Sequence, residues 1–220
     1  MTESSDAALM AAAIVYGIAG RPLAGEAVSG DLHLIAPLAG GVLVAVADGL
    51  GHGYEAAHAA QAAVDYLRRN LELPLADLMQ RCDGALRRTR GVVLGLAAFH
   101  FADDRLDWIG VGNIDAVLIR ADPFAEPRRR VLPNRGGVVG LQMPQLRGSS
   151  YPMYCGDVLT LATDGINGDL PLSQHAGLGH WSPQELADYL IDHHARANDD
   201  ALAVVVRYRG LQSAPGCHAR

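Results

Sequence analysis

Apolar and polar positions along the chain change in short blocks that predict more strands than helices. Runs rich in valine, leucine and isoleucine are bounded by glycine, aspartate or proline, which is typical of strands that end in turns. The predicted strands are Ala12–Ala19, Asp31–Ala36, Val42–Asp48, Val92–Phe101, Leu106–Gly112, Ala116–Arg120, Val158–Thr163 and Ala201–Tyr208. The Pro/Arg-rich stretch from Asp122 to Pro133 is predicted to be an exposed connection.

Three segments have apolar residues at helical spacing instead. The first begins after Gly53, the second follows Pro74, and the third begins at Ser182-Pro183-Gln184-Glu185, a capping box with proline in the first helical position. The predicted order is strands, two helices, a run of strands, a helix and a last strand. Runs rather than strict alternation favour an α+β fold with mainly antiparallel sheets. Helices covering the outer faces of two stacked sheets would fit this order.

Composition and charge narrow the class of protein. With 50% apolar and 19% charged residues among 220, we expect one domain over residues 1–209 and a disordered tail over residues 210–220. The net charge of −6 argues against nucleic-acid partners. The apolar stretch Ala7–Ala19 is too short to cross a bilayer, so no membrane segment is predicted. Three cysteines without a C-x-x-C pair favour neither a disulfide framework nor a zinc site. They fit a reducing cytoplasm, and the absence of a coiled-coil pattern fits a monomer.

The hairpin formed by the second and third predicted strands brings two aspartates together. With a turn at Ala39-Gly40, Asp31 and Asp48 are directly opposed, and Cβ atoms of opposed residues lie roughly 4.5–5.5 Å apart. With the turn one residue later, Asp31 faces Leu50 instead, and both acids stay at the same end of the hairpin. Two like charges at this position destabilise the strand pair unless a cation lies between them.

Three more aspartates lie at the ends of later strands. Asp164 follows Val158–Thr163, and Asp199 and Asp200 precede Ala201–Tyr208. If these strands are antiparallel neighbours, the acids meet at one sheet end, where carboxylates without nearby lysine or arginine bind hard cations such as Mg²⁺ or Mn²⁺. Each Asp-Gly pair alone is also explained as an ordinary turn. The spacing therefore leaves a metal site and simple turns both open.

Four short motifs in this order resemble the metal-dependent serine/threonine phosphatases of type 2C. They are Ser29-Gly30-Asp31, Val46-Ala47-Asp48-Gly49-Leu50-Gly51-His52-Gly53, Leu161-Ala162-Thr163-Asp164-Gly165 and Asn198-Asp199-Asp200-Ala201. Gly-His-Gly in the second motif and the later Gly110-Val111-Gly112-Asn113 resemble the bacterial SpoIIE branch. Within it, the chain is most similar to the small stand-alone RsbX-like enzymes that act on stressosome proteins. The resemblance covers roughly residues 12–208 and implies an α–β–β–α sandwich.

The resemblance also implies two Mn²⁺ or Mg²⁺ ions at one end of the sheets. Asp48 would bridge the ions, and the carbonyl of the next residue would bind one of them. The implied ligands are Asp31, Asp48, Gly49, Asp164, Asp199 and Asp200, the last two as alternatives for one position. The phosphate-binding arginine near the N-terminus of the larger type 2C enzymes has no clear counterpart, and Arg21 is the nearest candidate.

The implied reaction is hydrolysis of phosphoserine or phosphothreonine by a water that the two ions activate. The implied substrates are phosphorylated regulatory proteins of a stressosome or partner-switching cascade. Asp48 and His52 are the catalytic candidates, and His52 either protonates the leaving group or orders the start of the next helix. Two alternatives are a catalytically silent scaffold that binds phosphoproteins and a hydrolase of small phosphoesters. A phosphate-loop interpretation of residues 48–53 lacks the Gly-Lys-Ser/Thr ending of nucleotide-binding loops.

Overall fold

The computed structural model describes residues 3–167 and 181–211. Every predicted strand and helix is present, with strand bounds within two residues of the prediction, which confirms the α+β fold. The elements in chain order are α1 (Glu3–Ala13), β1 (Ile14–Arg21), β2 (Asp31–Leu38), β3 (Gly41–Gly49), α2 (Gly53–Arg69), α3 (Leu75–Leu86), β4 (Val92–His100), β5 (Arg105–Val111), β6 (Asp115–Ile119), β7 (Arg129–Val131), β8 (Asn134–Arg135), β9 (Ser149–Pro152), β10 (Val158–Ala162), α4 (Pro183–His194) and β11 (Ala201–Tyr208).

The strands form two sheets. The first sheet has the order β1-β11-β10-β6-β7, and the second has the order β2-β3-β4-β5-β8, with β9 also paired to β5. The pair β5–β8 is parallel, and the other pairs named here are antiparallel. The prediction of two mainly antiparallel sheets is therefore confirmed.

Alternating side chains divide the core into three apolar layers. In β3, Val44 and Val46 pack between the sheets, whereas Leu43 and Ala45 face α2 and α3. In β11, the even-numbered residues face the second sheet, whereas Ala201, Ala203 and Val205 pack against α4. Strand side chains point alternately to opposite faces, so two-sided burial needs apolar residues throughout. The layers follow the order α4, first sheet, second sheet, α2 with α3, which is the expected α–β–β–α sandwich.

Two segments differ from the sequence-based predictions. The helix α1 was not predicted, because Ala7–Ala19 was interpreted as one apolar stretch containing a strand. Its first half is rich in alanine, which favours helix, and the strand begins where β-branched Ile14 and Val15 follow. The predicted exposed connection Asp122–Pro133 contains β7, a short edge strand that pairs with β6. Its arginines are compatible with an edge because charged side chains there discourage further pairing.

The cysteines lie in different environments. Cys82 is a fully buried residue of the core against α3, as its position in the predicted helix suggests. Cys155 is disulfide-bonded, a pairing that the odd cysteine count did not predict. The predicted tail lies outside the described residues from position 212 onward. Among the residues that the structure describes, no helix has the length and apolar character needed to cross a membrane.

Candidate metal centre

Two opposed aspartates form the part of the site that the second sheet carries. Asp31 of β2 pairs with Asp48 of β3, which confirms the register predicted from a turn at Ala39-Gly40. Burial raises the pKa of Asp31, and the hydrogen bond from Thr163 partly offsets this effect. Burial also raises the pKa of Asp48, and the charge of Asp31 raises it further. Both carboxyls therefore hold protons more tightly than ordinary aspartates in the absence of a cation.

The first sheet carries the remaining acids at the same edge. Asp164 follows β10 and Asp199 precedes β11, and these strands are antiparallel neighbours. Burial raises the pKa of Asp199, and the charge of Asp164 raises it further. After burial and Asp31, the charges of Asp164 and Asp199 also raise the pKa of Asp48. The aspartates of the two sheets therefore act on one another within one electrostatic cluster.

A threonine joins the two sheets at this edge. Thr163 Oγ1 donates to Asp31 Oδ2 at 2.7 Å and accepts a hydrogen bond from the backbone N–H of Leu202 at 3.0 Å. Both Thr163 and Asp31 are buried. One hydroxyl group thus connects β11 and the end of β10 to the first residue of β2.

Asp200, a predicted alternative ligand, binds the backbone of the loop between β1 and β2. Its Oδ1 accepts from Leu23 N at 2.8 Å, and its Oδ2 accepts from Gly30 N at 2.9 Å. Both oxygens of Asp200 therefore hold the segment that leads into Asp31. The neighbouring Asp199 accepts one backbone hydrogen bond, from Asp200 N at 3.0 Å.

The glycines beside the site aspartates allow close packing of the backbone. A Cβ added to Gly49 would collide with the carbonyl of Ala56 in α2, and one added to Gly165 would collide with the carbonyl of Asp200. The structure shows that each glycine is required where its strand end meets a neighbouring segment.

His52 lies at the start of α2 and contacts a different loop. Its Nδ1 is 2.6 Å from Glu26 Oε1 in the loop between β1 and β2, and its side chain is 61% exposed. His52 occupies the N-cap position but makes no side-chain capping hydrogen bond. Among the described residues, the charges that shift the pKa of Asp31 and Asp48 are all carboxylates. His52 therefore lies in the loop that follows Asp48, and the contact of its side chain is with Glu26.

Three residues of the site were not predicted as site residues. Asn113 Nδ2 donates to Asp164 Oδ2 at 2.7 Å, and Thr163 binds Asp31 as described above. Asp115 at the start of β6 has a pKa raised mainly by burial and opposed by the charge of Arg129. Asn113 ends the Gly110-Val111-Gly112-Asn113 motif, and its position directly after a predicted strand could have identified it as a site residue. The role of Thr163 depends on how the sheets stack, which the sequence does not show.

The donor chemistry and the electrostatics of the cluster fit a hard divalent cation. Carboxylate and carbonyl oxygens are the preferred ligands of Mg²⁺ and Mn²⁺. Within residues 3–167 and 181–211, no group of three or more His, Cys, Asp or Glu side chains is already arranged to hold a metal ion. Burial and the charges of neighbouring acids nevertheless raise the pKa values of Asp31 and Asp48, because negative charge is unfavourable at this crowded, buried edge. A cation would neutralise this charge in place of protons.

Comparison with known proteins identifies the family of this chain. The family model of Stage II sporulation protein E (SpoIIE) matches residues 39–209. No curated protein sequence matches the chain significantly. A structure described as "The bacterial stressosome: a modular system that has been adapted to control secondary messenger signaling" is 28% identical, with a TM-score of 0.79. The alignment covers 88% of this chain and 99% of that one.

Two further solved structures share the fold. RsbX in complex with magnesium is 19% identical, with a TM-score of 0.76 over 89% of this chain and 96% of that chain. The catalytic domain of the serine/threonine phosphatase PstP with two manganese ions is 19% identical. Its TM-score is 0.65 over 90% of this chain and 99% of that chain. These similarities confirm the predicted sandwich.

Proposed function

The chain belongs to the SpoIIE family of type 2C phosphatases, and from this premise we propose that it is a Mn²⁺- or Mg²⁺-dependent protein serine/threonine phosphatase. The observation that carries the proposal is the cluster of mutually perturbed carboxylates, with Asp31 and Asp48 from one sheet and Asp164 and Asp199 from the other. A silent scaffold has no use for so many like charges at one edge.

We assign the metal ligands to the aspartates whose oxygens remain available. In this assignment two ions would be held by Asp48, the Gly49 carbonyl, Asp164 and Asp199. Asp31 binds a metal directly or through water. Asp200 is the weaker candidate of its pair because backbone N–H groups already occupy both its oxygens.

The side chains of this chain prepare the site for hydrolysis. When bound, the cations would supply an activated water and neutralise charge on the phosphoryl oxygens. Thr163 holds Asp31, and Asn113 holds Asp164, so each sheet presents an oriented carboxylate. His52, oriented by Glu26, is our candidate for protonating the leaving alkoxide.

The proposed substrates are phosphoserine or phosphothreonine proteins of a stressosome or partner-switching cascade in the cytoplasm. The similarity to a structure from stressosome work and to RsbX supports this substrate class. The structure of the RsbU and RsbW domains of a Mycobacterium tuberculosis protein is 17% identical and has the same fold. It supports this substrate class further. A monomer is sufficient, because all the assigned ligands come from one chain.

The test is phosphate release from a serine-phosphorylated stressosome protein with Mn²⁺ or with chelator. Wild type, Asp48→Asn and the exposed helix variant Asp77→Asn are compared. We expect Mn²⁺-dependent release by wild type and Asp77→Asn and its loss in Asp48→Asn, with all three proteins folded. Full turnover by Asp48→Asn would refute the site. Wild-type cleavage of an aryl phosphate alone would indicate a small-phosphoester hydrolase, and binding of the phosphoprotein without any turnover would indicate the scaffold.

A further inference from the structure

The turn between α4 and β11 brings an arginine to the edge that carries the metal centre. The backbone N–H of Arg196 donates to the carbonyl of Gly165 at 2.7 Å, directly after Asp164. The N–H of Asn167 donates to the carbonyl of His194 at 2.9 Å. The loop that follows Asp164 and the turn that carries Arg196 are therefore attached to each other by their backbones.

Arg21 supports the same turn from the end of β1. Its Nη2 donates to the carbonyl of Ala195 at 3.2 Å and to that of Arg196 at 3.0 Å. The sequence identified Arg21 as the nearest counterpart of a phosphate-binding arginine. Through these two hydrogen bonds Arg21 positions the turn that carries Arg196.

The guanidinium of Arg196 lies against the loop that follows Asp164. Its Nε donates to Asn167 Oδ1 at 3.1 Å. In the described part of the chain, the two Nη groups of Arg196 have no hydrogen-bond partner. A guanidinium has five N–H donors, so most of them remain for a ligand.

We propose that Arg196 binds the phosphoryl oxygens of the substrate, which rests on the phosphatase function proposed above. The planar fork of the Nη groups matches two oxygens of one phosphoryl group. Arg196 is exposed, so a phosphorylated segment of another protein has access to it. The residue thus takes the place of the N-terminal arginine for which the sequence offered only Arg21.

The experiment compares wild type with Arg196→Ala, Arg196→Lys and the matched surface variant Arg68→Ala, whose side chain is 59% exposed on α2. Calorimetry measures binding of inorganic phosphate to the Mn²⁺-loaded proteins and, separately, their affinity for Mn²⁺. Kinetics on a phosphoserine peptide give KM and kcat. These measurements separate phosphate recognition from metal binding, and the phosphate titration does not depend on turnover.

We expect Arg196→Ala to weaken phosphate binding and raise KM about 10- to 100-fold, as for loss of charge-assisted hydrogen bonds. Arg196→Lys should be intermediate because it keeps the charge and loses the fork. Mn²⁺ affinity should stay the same or increase, since a positive charge near Asp199 is removed. Arg68→Ala should match wild type. Unchanged phosphate binding in Arg196→Ala, weakened Mn²⁺ binding that accounts for the loss, or no phosphate binding by wild type would overturn the proposal. Wild-type phosphate binding without turnover would count against the phosphatase function alone.

Discussion

Replacing Thr163 by valine tests how the two sheets are joined at the metal centre. The substitution keeps the branched shape and removes the hydroxyl that binds Asp31 and Leu202. Hydrogen bonds to charged groups contribute about 1.5–3 kcal/mol, and an unpaired buried N–H costs about 1–3 kcal/mol. We therefore expect the metal-free variant to lose about 1–3 kcal/mol of unfolding free energy, because the N–H of Leu202 is left without this acceptor.

The effect on metal binding should be larger and should depend on pH. Burial raises the pKa of Asp31, and the hydrogen bond from Thr163 is the contact that lowers it. Without this hydroxyl, Asp31 holds its proton to higher pH, and a proton competes with a cation. We expect Mn²⁺ affinity near pH 7 to fall roughly 10- to 100-fold, which corresponds to about 1.5–3 kcal/mol. The deficit should shrink as pH rises.

Thr160 provides a matched control for this substitution. Thr160 is also fully buried, in β10, and its Oγ1 has no hydrogen-bond partner in the described part of the chain. Thr160→Val should therefore leave Mn²⁺ affinity unchanged and stability equal or higher, and Thr163→Ser should restore most of the affinity. Calorimetric Mn²⁺ titrations at several pH values and urea denaturation measure these quantities. Equal Mn²⁺ affinity for Thr163→Val and Thr160→Val would refute the reasoning.

Two further predictions concern buried carboxylates. Because their folded-state pKa values are raised, to about 7 for Asp31 and about 9 for Asp48, metal-free protein should lose stability as pH rises from about 4 to about 9. The Asp48→Asn variant should lose less stability over this pH range. Urea denaturation with chelator measures the unfolding free energy at each pH, and the same pH dependence in both proteins would contradict the prediction. Asp157 accepts hydrogen bonds from Arg120, Ala121 and Tyr154 at the opposite end of β10. Asp157→Ala should cost about 3–5 kcal/mol of stability while leaving phosphatase activity per folded molecule intact, and a loss under 1 kcal/mol would contradict this.

The pairing of Asp31 with Asp48 was predictable because it depends on local sequence. Gly40 adopts a positive φ of 73° in a two-residue turn, and a turn of known length determines every pair along the hairpin. The alternation of apolar residues then identifies which faces are buried. Local sequence also predicted the strand ends at Asp164 and Asp199. It predicted the start of α4 as well, whose capping box is present at Ser182.

The contacts that join the two sheets were not predictable from the sequence. Thr163 and Asp31 are separated by 132 positions, and their hydrogen bond depends on the relative position of the stacked sheets. Asp200 and Asp199 are chemically identical neighbours, and only the three-dimensional structure shows that Asp200 binds Leu23 and Gly30. Arg196 lies in a turn without a recognisable motif, so its approach to the site required the folded chain.

In the proposed metal assignment, the division of the site between two sheets links metal binding to the stability of the core. Val46 and Leu202, each two residues from a site aspartate, belong to the apolar cluster between the sheets. Packing of this core therefore holds Asp48 and Asp200, which belong to different sheets, at the same edge of the sandwich, although the carboxylates there repel each other. A divalent cation bound only by the folded protein would remove this repulsion and stabilise the fold through mass action. Because protons relieve the same repulsion without joining the two halves, the cation is the partner for which this arrangement of carboxylates is suited.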